Sequence, residues 1–248
     1  MSVIEKVRKK APLIHHLTNQ VVMNFTANGL LSFGGSPIMA KEPKEAYDMA
    51  KIADGVLINI GTMTERDLEA FRLAGKAANE KGIPVVLDPV GVSATPFRRE
   101  AVKQLLDDIS FTAIKGNAGE MAYLAGVAWE TKGVESADGD RGQLREIAEH
   151  VARKYDAIAI ITGKIDVVSD GEATKENESG HELLTKVTGA GCLLGSIITA
   201  CLASGDSPLD DSFEAVKFFG EAAERAVTHH EVKGTGTFIP HFLDELQR

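Results

Sequence analysis

Four short apolar runs, at 55–60, 84–88, 112–115 and 157–161, are apolar almost throughout rather than at alternate positions. A strand with one face in water alternates apolar and polar residues, whereas a continuous apolar run belongs to a strand covered on both faces, as in parallel sheets. Between these runs, residues 64–81, 95–107 and 140–155 carry helical periodicity, each preceded by turn or capping residues. Strand and helix therefore alternate, which implies βαβ units and an α/β fold with a central, mainly parallel sheet. The last third changes character. Residues 167–172 and 181–185 read as two strands of a hairpin added at a sheet edge, and 190–204 as a helix apolar all round and hence buried. Amphipathic helices follow at 212–229 and 240–247, and the charged stretch 130–141 reads as a loop. With no repeat and no shift in composition, residues 1–248 are expected to form a single domain.

The charge balance narrows the function. With 27 basic and 36 acidic residues, the net charge of −9 argues against general nucleic-acid binding. A small anionic ligand remains open, because a helix N-terminus makes a local positive site. The two cysteines, Cys192 and Cys201, lie nine residues apart in one apolar segment, too far along a helix for a disulfide. The N-terminus has no apolar core of signal-peptide length and no run reaches membrane-spanning length, so a soluble protein of a reducing cytoplasm is expected.

Ligands of parallel α/β sheets bind beyond the carboxyl ends of the strands. Here one run ends at Asp88, another leads into Lys115-Gly-Asn117-Ala-Gly-Glu120, and a third ends at Thr162. Two carboxylates plus an amide suit Mg²⁺, which takes few protein oxygens and keeps water and phosphate. Taken singly, Asp88 or Asn117 is better explained as a helix cap. Thr188-Gly-Ala-Gly191 opens the apolar helix, whose first amides and dipole make an anion hole. From Gly189 the spacing is GxGxxxG, one residue too long for a dinucleotide fingerprint, and no GxxxxGK[ST] is present. Near the N-terminus, His15-His16-Leu-Thr-Asn19 precedes an apolar helix carrying asparagines, and Met39 follows a Gly34-Gly35 turn. By default Met39 is a core residue and the histidine pair structural.

Four segments together, HHLTNQVVMNFTANGLLSFGGSPIMA (15–40), LDPVGVSATPFR (87–98), IKGNAGEMAYLAG (114–126) and VTGAGCLLGS (187–196), resemble the hydroxyethylthiazole kinase family of thiamin salvage. The resemblance spans almost the whole chain in matching order. It implies a ribokinase-like three-layer fold, a central sheet flanked by helices, and ATP-dependent phosphorylation of the hydroxyl of 4-methyl-5-(2-hydroxyethyl)thiazole with Mg²⁺. It also implies a homotrimer with active sites at subunit interfaces. By motif position, Met39 and Gly189 would contact the thiazole, and Lys115 and Thr162 the nucleotide, with Asn19 and Asn117 in support. Asp88 and Glu120 would organise Mg²⁺, largely through water and phosphate. Lys115 stands where arginine is expected in part of the family, losing the bidentate fork, and His16 where many relatives would carry asparagine. Cys192 occupies the position of the base aspartate of ribokinase-like sugar kinases. A free thiol has a pKa of about 8.5, which a helix N-terminus can lower toward neutrality, so Cys192 is expected to position or help deprotonate the alcohol without a covalent intermediate. Cys201 reads as a core residue. A hydroxymethylpyrimidine-type kinase is the nearest alternative, disfavoured by the HLTN and SPIM blocks. A non-catalytic nucleotide-binding module is disfavoured by the presence of both Asp88 and Glu120.

Overall fold

The computed structural model describes residues 1–129 and 137–248, with side chains described outside 130–140. Among these residues eight strands form one sheet: β1 (Leu13–Leu17), β2 (Ser36–Ile38), β3 (Gly55–Asn59), β4 (Val85–Asp88), β5 (Ala113–Asn117), β6 (Ile158–Thr162), β7 (Asp166–Ser169) and β8 (Thr174–Asn177). Their order is β2-β1-β3-β4-β5-β6-β7-β8. The pairs from β2 to β6 are parallel, and β7 and β8 continue the sheet antiparallel.

The continuous apolar runs have the cause expected of them. Side chains alternate between the two faces of a strand, and here each face meets its own core. Val56, Ile58, Val85 and Leu87 pack with α3 (Pro43–Ile52), α4 (Glu65–Lys81), α5 (Pro96–Asp108), α6 (Ala118–Ala125) and α7 (Ala137–Tyr155). Leu57, Val86, Ile158 and Ile160 pack with α1 (Val3–Lys10), α2 (Met23–Phe33), α8 (Ala190–Leu202), α9 (Pro208–Val227) and α10 (Thr235–Glu245). The result is the expected three-layer α/β arrangement. Helix starts follow local chemistry. Thr64 and Asp67 form a reciprocal capping box on α4, and Thr95 caps α5 with Pro96 in its first turn.

Four expectations are corrected. The hairpin is β7–β8, and its second strand is Thr174–Asn177 rather than 181–185. Asp170 Oδ1 accepts the amides of Glu172 and Ala173, which closes the turn at once and starts the return strand early. Residues Glu182–Lys186 instead form a single 3₁₀ turn, begun where His181 Nδ1 accepts the Leu183 amide. Of the expected loop at 130–141, residues 130–136 lie outside the described residues, while 137–141 begin α7. The last two helices start earlier than expected, at Pro208 and Thr235. Leu13–Leu17, which read only as a prelude to a helix, is an interior strand between β2 and β3.

One topological feature positions the site. From β1 the chain crosses by α2 to β2, then by α3 on the opposite face of the sheet to β3, on the other side of β1. The winding reverses between β1 and β3, and the crevice beyond such a reversal is where doubly wound sheets bind ligands.

Candidate active site

The carboxyl rim of the parallel strands reads, in spatial order, Met39 after β2, Asn19 after β1, Asn59 ending β3, Asp88 ending β4, Lys115 and Asn117 in β5, and Thr162 ending β6. At about 4.8 Å per strand, this rim extends roughly 24 Å, room for a nucleotide and a small acceptor end to end. Over its centre sits the N-terminus of α8, which packs on β3 and β4.

A hydrogen-bonded cluster occupies that centre. Asp88 is 1% exposed, and its Oδ2 accepts from Lys115 Nζ at 3.1 Å and from Asn59 Nδ2 at 2.9 Å. Its Oδ1 is buried with no partner among the described residues. Burial pushes the Asp88 carboxyl above the ordinary aspartate range, with Lys115 pulling against it. Burial opposes the Lys115 ammonium most, but Asp88, Cys192 and Glu120 together outweigh it, and its pKa is raised. Cys192, in the first turn of α8, accepts from Asn59 Nδ2 at 3.2 Å and from Asn19 Nδ2 at 3.4 Å. The expected lowering of its thiol is corrected: burial first, then the Asp88 charge, push it up, and Lys115 only partly offsets them. Desolvation of a thiolate beside a carboxylate exceeds what a helix terminus contributes.

Glu120 is held by its own helix start. Asn117 Oδ1 accepts the Glu120 amide at 3.0 Å while Glu120 Oε2 accepts the Asn117 amide at 2.8 Å, a capping box on α6. The other carboxylate oxygen, Oε1, accepts the Gly91 amide at 2.8 Å, tying the loop after Asp88 to α6. Asn117 is therefore a cap as well as a rim residue. Thr162 Oγ1 donates to the Gly116 carbonyl at 3.4 Å across the β5–β6 ladder. Asp88 and Glu120 supply two carboxylates, and no group of three or more His, Cys, Asp or Glu placed to hold a metal ion is found among the described residues.

The glycine turn carries strict geometric demands. Gly189, the N-cap of α8, has φ of +92°, and a Cβ there would lie 2.5 Å from Val22 Cγ1. A Cβ at Gly191 would lie 3.2 Å from Lys115 Nζ, so a side chain there would press the ammonium aside by a few tenths of an ångström. The Ala190 amide bonds Val187 and the Leu193 amide bonds Gly189, which leaves the Gly191 and Cys192 amides open beside Lys115, with no partner among the described residues. Met39 is half-buried at the rim rather than in the core, three strands from Asp88. Neighbouring His15 Nε2 bonds the Ala40 carbonyl at 2.6 Å. Cys201, by contrast, is fully buried.

Two residues, Asn59 and Arg98, escaped sequence reasoning, and a third, His16, carries the structural role expected of it. Asn59 ends an apolar run and precedes Ile-Gly, the same pattern that singles out Asp88 and Asn117. Arg98 donates to the carbonyls of Ile60, Gly61 and Val90, bracing the loops after β3 and β4. His16 Nδ1 bonds the Ile14 carbonyl at 2.9 Å and its Nε2 accepts from Ser196 Oγ at 2.7 Å, pinning β1 to α8 one turn below Cys192.

The doubly wound, mainly parallel sheet flanked by helices on both faces is a ribokinase-like fold, with a carboxylate–lysine pair under an open helix N-terminus at its switch point. A solved ribokinase-like superfamily protein of Enterococcus faecalis shares that fold with a TM-score of 0.66 at 13% identity, over 95% of this chain and 88% of its own. The chain belongs to the hydroxyethylthiazole kinase family, whose model matches residues 4–248. It is 51% identical over 248 residues to hydroxyethylthiazole kinase 1 of Oceanobacillus iheyensis, covering all of this chain and 96% of that one. The solved hydroxyethylthiazole kinase protein of Pyrococcus horikoshii superposes with a TM-score of 0.90 at 38% identity, over 99% of this chain and 91% of its own. No helix among the described residues is long and apolar enough to cross a membrane.

Proposed function

We propose that the chain, acting as a single domain, phosphorylates the hydroxyl of 4-methyl-5-(2-hydroxyethyl)thiazole with ATP, in thiamin salvage and biosynthesis. Family membership supports the reaction, and one observation carries the assignment of its centre. A buried carboxylate with an unpartnered oxygen, a buried ammonium and two open helix amides converge at the switch point of the sheet. The triphosphate lies along the Lys115, Asn117 and Thr162 side of the rim, with Asn19 in support and its γ-phosphoryl group at the α8 N-terminus, where the Gly191 and Cys192 amides receive the equatorial oxygens. The thiazole lies toward Met39 and Gly189. Its hydroxyl oxygen attacks the γ-phosphorus, the new O–P bond forms as the bridging O–P bond breaks, and ADP leaves.

Cys192 holds the attacking hydroxyl as a neutral thiol, because burial and Asp88 keep its proton on at neutral pH. The transition state is loose, so the hydroxyl proton stays on until late and then passes to an oxygen of the transferred phosphoryl group, and positioning outweighs base strength. Asp88 and Glu120 would hold Mg²⁺ largely through water and phosphate. Asp88 Oδ1 is a buried acceptor with no partner among the described residues, and each Glu120 oxygen accepts one amide and keeps a second lone pair. When bound, Mg²⁺ supplies the positive charge that neutralises the phosphoryl oxygens. Membership of the family also supports a homotrimer with active sites between subunits. Val21, Leu31 and Ile52, 68%, 56% and 61% exposed, offer apolar surface for it. The free thiols of Cys192 and Cys201 support work in a reducing cytoplasm. The test is ADP release from ATP and Mg²⁺ across thiazole, pyrimidine and sugar alcohols under identical conditions. Release stimulated by the thiazole alcohol above the others is expected; release indifferent to it refutes the assignment. Light scattering should give three times the chain mass.

A further inference from the structure

Asn59 closes β3 at the point where the sheet reverses its winding, and it is 1% exposed. A primary amide offers two donor hydrogens and two acceptor lone pairs, and in Asn59 all four are engaged. Oδ1 accepts from the Gly61 amide and from Asn19 Nδ2, both at 3.0 Å. Nδ2 donates to Asp88 Oδ2 at 2.9 Å and to Cys192 Sγ at 3.2 Å. A flipped amide would set its carbonyl oxygen against the Asp88 carboxylate and its donors against two other donors, so only one orientation is allowed.

The two halves of this side chain do different work. The oxygen builds the turn after β3, a local duty found wherever asparagine ends a strand. The nitrogen reaches across β4 and up to α8, and the fold does not need it there, because β3 is already paired through its backbone with β1 and β4. We propose that Asn59 is a positioning residue for phosphoryl transfer, whose amide nitrogen sets the Asp88 carboxylate and the Cys192 sulfur at a fixed separation. By occupying Oδ2 together with Lys115, it leaves Oδ1 as the one open oxygen of Asp88. By holding Sγ jointly with Asn19, it keeps the sulfur on the acceptor side of that carboxylate. The inference rests on the reading of Asp88 and Cys192 as the reacting end of the crevice.

Asn59→Ser separates the two duties: a serine hydroxyl can still accept the Gly61 amide but is too short to reach Asp88 or Cys192. The expected result is a fall in kcat of about 100-fold, the scale for misplacing reacting groups by about 1 Å. KM for the thiazole and for ATP should stay within about threefold, and alkylation of Cys192 by iodoacetamide should change rate. Cys201 is buried and does not compete. A merely structural role would lower the thermal midpoint without this split between kcat and KM. Should the serine variant not fold, Asn59→Thr likewise keeps a short hydroxyl acceptor for the Gly61 amide and cannot reach Asp88 or Cys192, and the same split is expected. Either folded variant with kcat within threefold of the parent, or with its loss confined to KM, overturns the inference. Asp88→Asn assayed alongside separates the two failures. Turnover kept by Asp88→Asn refutes the reacting-end reading and the inference with it; turnover lost there but kept in Asn59→Ser refutes the inference alone.

Discussion

His16 makes the stability of this protein depend on acid in a calculable way. The ring is 1% exposed, with Nδ1 donating to the Ile14 carbonyl and Nε2 accepting from the Ser196 hydroxyl. Burial leads the causes that lower its pKa from 6.5 to about 4. The unfolded chain, with an ordinary histidine, takes up its proton near pH 6.5, whereas the folded chain resists until about pH 4. Because the folded pKa is the depressed one, this stability is fully present above pH 6.5 and is lost as pH falls toward 4. The difference in proton affinity corresponds to about 3 kcal/mol, most of it lost by pH 4. The perturbation is His16→Gln, which keeps an acceptor within reach of Ser196 and cannot titrate. Losing the bond to Ile14 costs the variant a constant amount, independent of pH. Urea unfolding of both proteins from pH 7.5 to 4, extrapolated linearly to water, should show the parent losing about 3 kcal/mol more than the variant. The carboxylates and His15 titrate in both proteins and cancel. Parallel curves over this range would refute the buried, neutral His16.

Three further outcomes follow from the site. Cys192→Ala should lower turnover yet leave measurable phosphorylation, with ATP and thiazole binding intact by calorimetry; complete loss of turnover with binding intact, or a phospho-cysteine in the mass spectrum, contradicts the positioning role. Glu120→Gln removes a charge and one of two amide contacts, so kcat should fall by about 100-fold while thiazole affinity holds within a few-fold; lost affinity with normal turnover contradicts the assignment. Gly189→Ala places a methyl 2.5 Å from Val22 Cγ1 at φ +92°, and should cost about 1–3 kcal/mol, read as a lower thermal midpoint; an unchanged midpoint contradicts the geometry.

What the sequence discloses about the fold depends on whether burial is symmetric. β3, β4, β5 and β6 are covered on both faces, so their runs are continuous and easily read. β1 is equally covered, but it spends two of its five positions on His15 and His16, whose polar atoms are served by Ala40, Ile14 and Ser196. Nothing local announces those partners, which lie up to 180 residues away. β8 is hidden for the opposite reason. As the sheet edge it needs only backbone pairing to β7, so Thr-Lys-Glu-Asn carries no apolar signal, while the more apolar 182–186 forms no strand.

The site shows the same division between local and distant causes. Asn117 was legible twice over, as a helix cap and as a rim residue, and the two readings turn out to be one. The capping box fixes the Glu120 carboxylate, and the fixed carboxylate then holds Gly91 and so the loop beyond Asp88. Cys192 was legible in place but not in character, because a position in a first helical turn argues for a lowered thiol only where water is near. Here the sulfur lies beside a buried carboxylate and beneath two amide donors, and the balance turns upward. A strong base at this position would have to hold a second negative charge next to Asp88 in a desolvated crevice. A neutral thiol avoids that repulsion and still offers a polarisable acceptor for the alcohol. On the proposed mechanism, in which charge gathers on the phosphoryl oxygens under the α8 amides in a loose transition state, that is the better match.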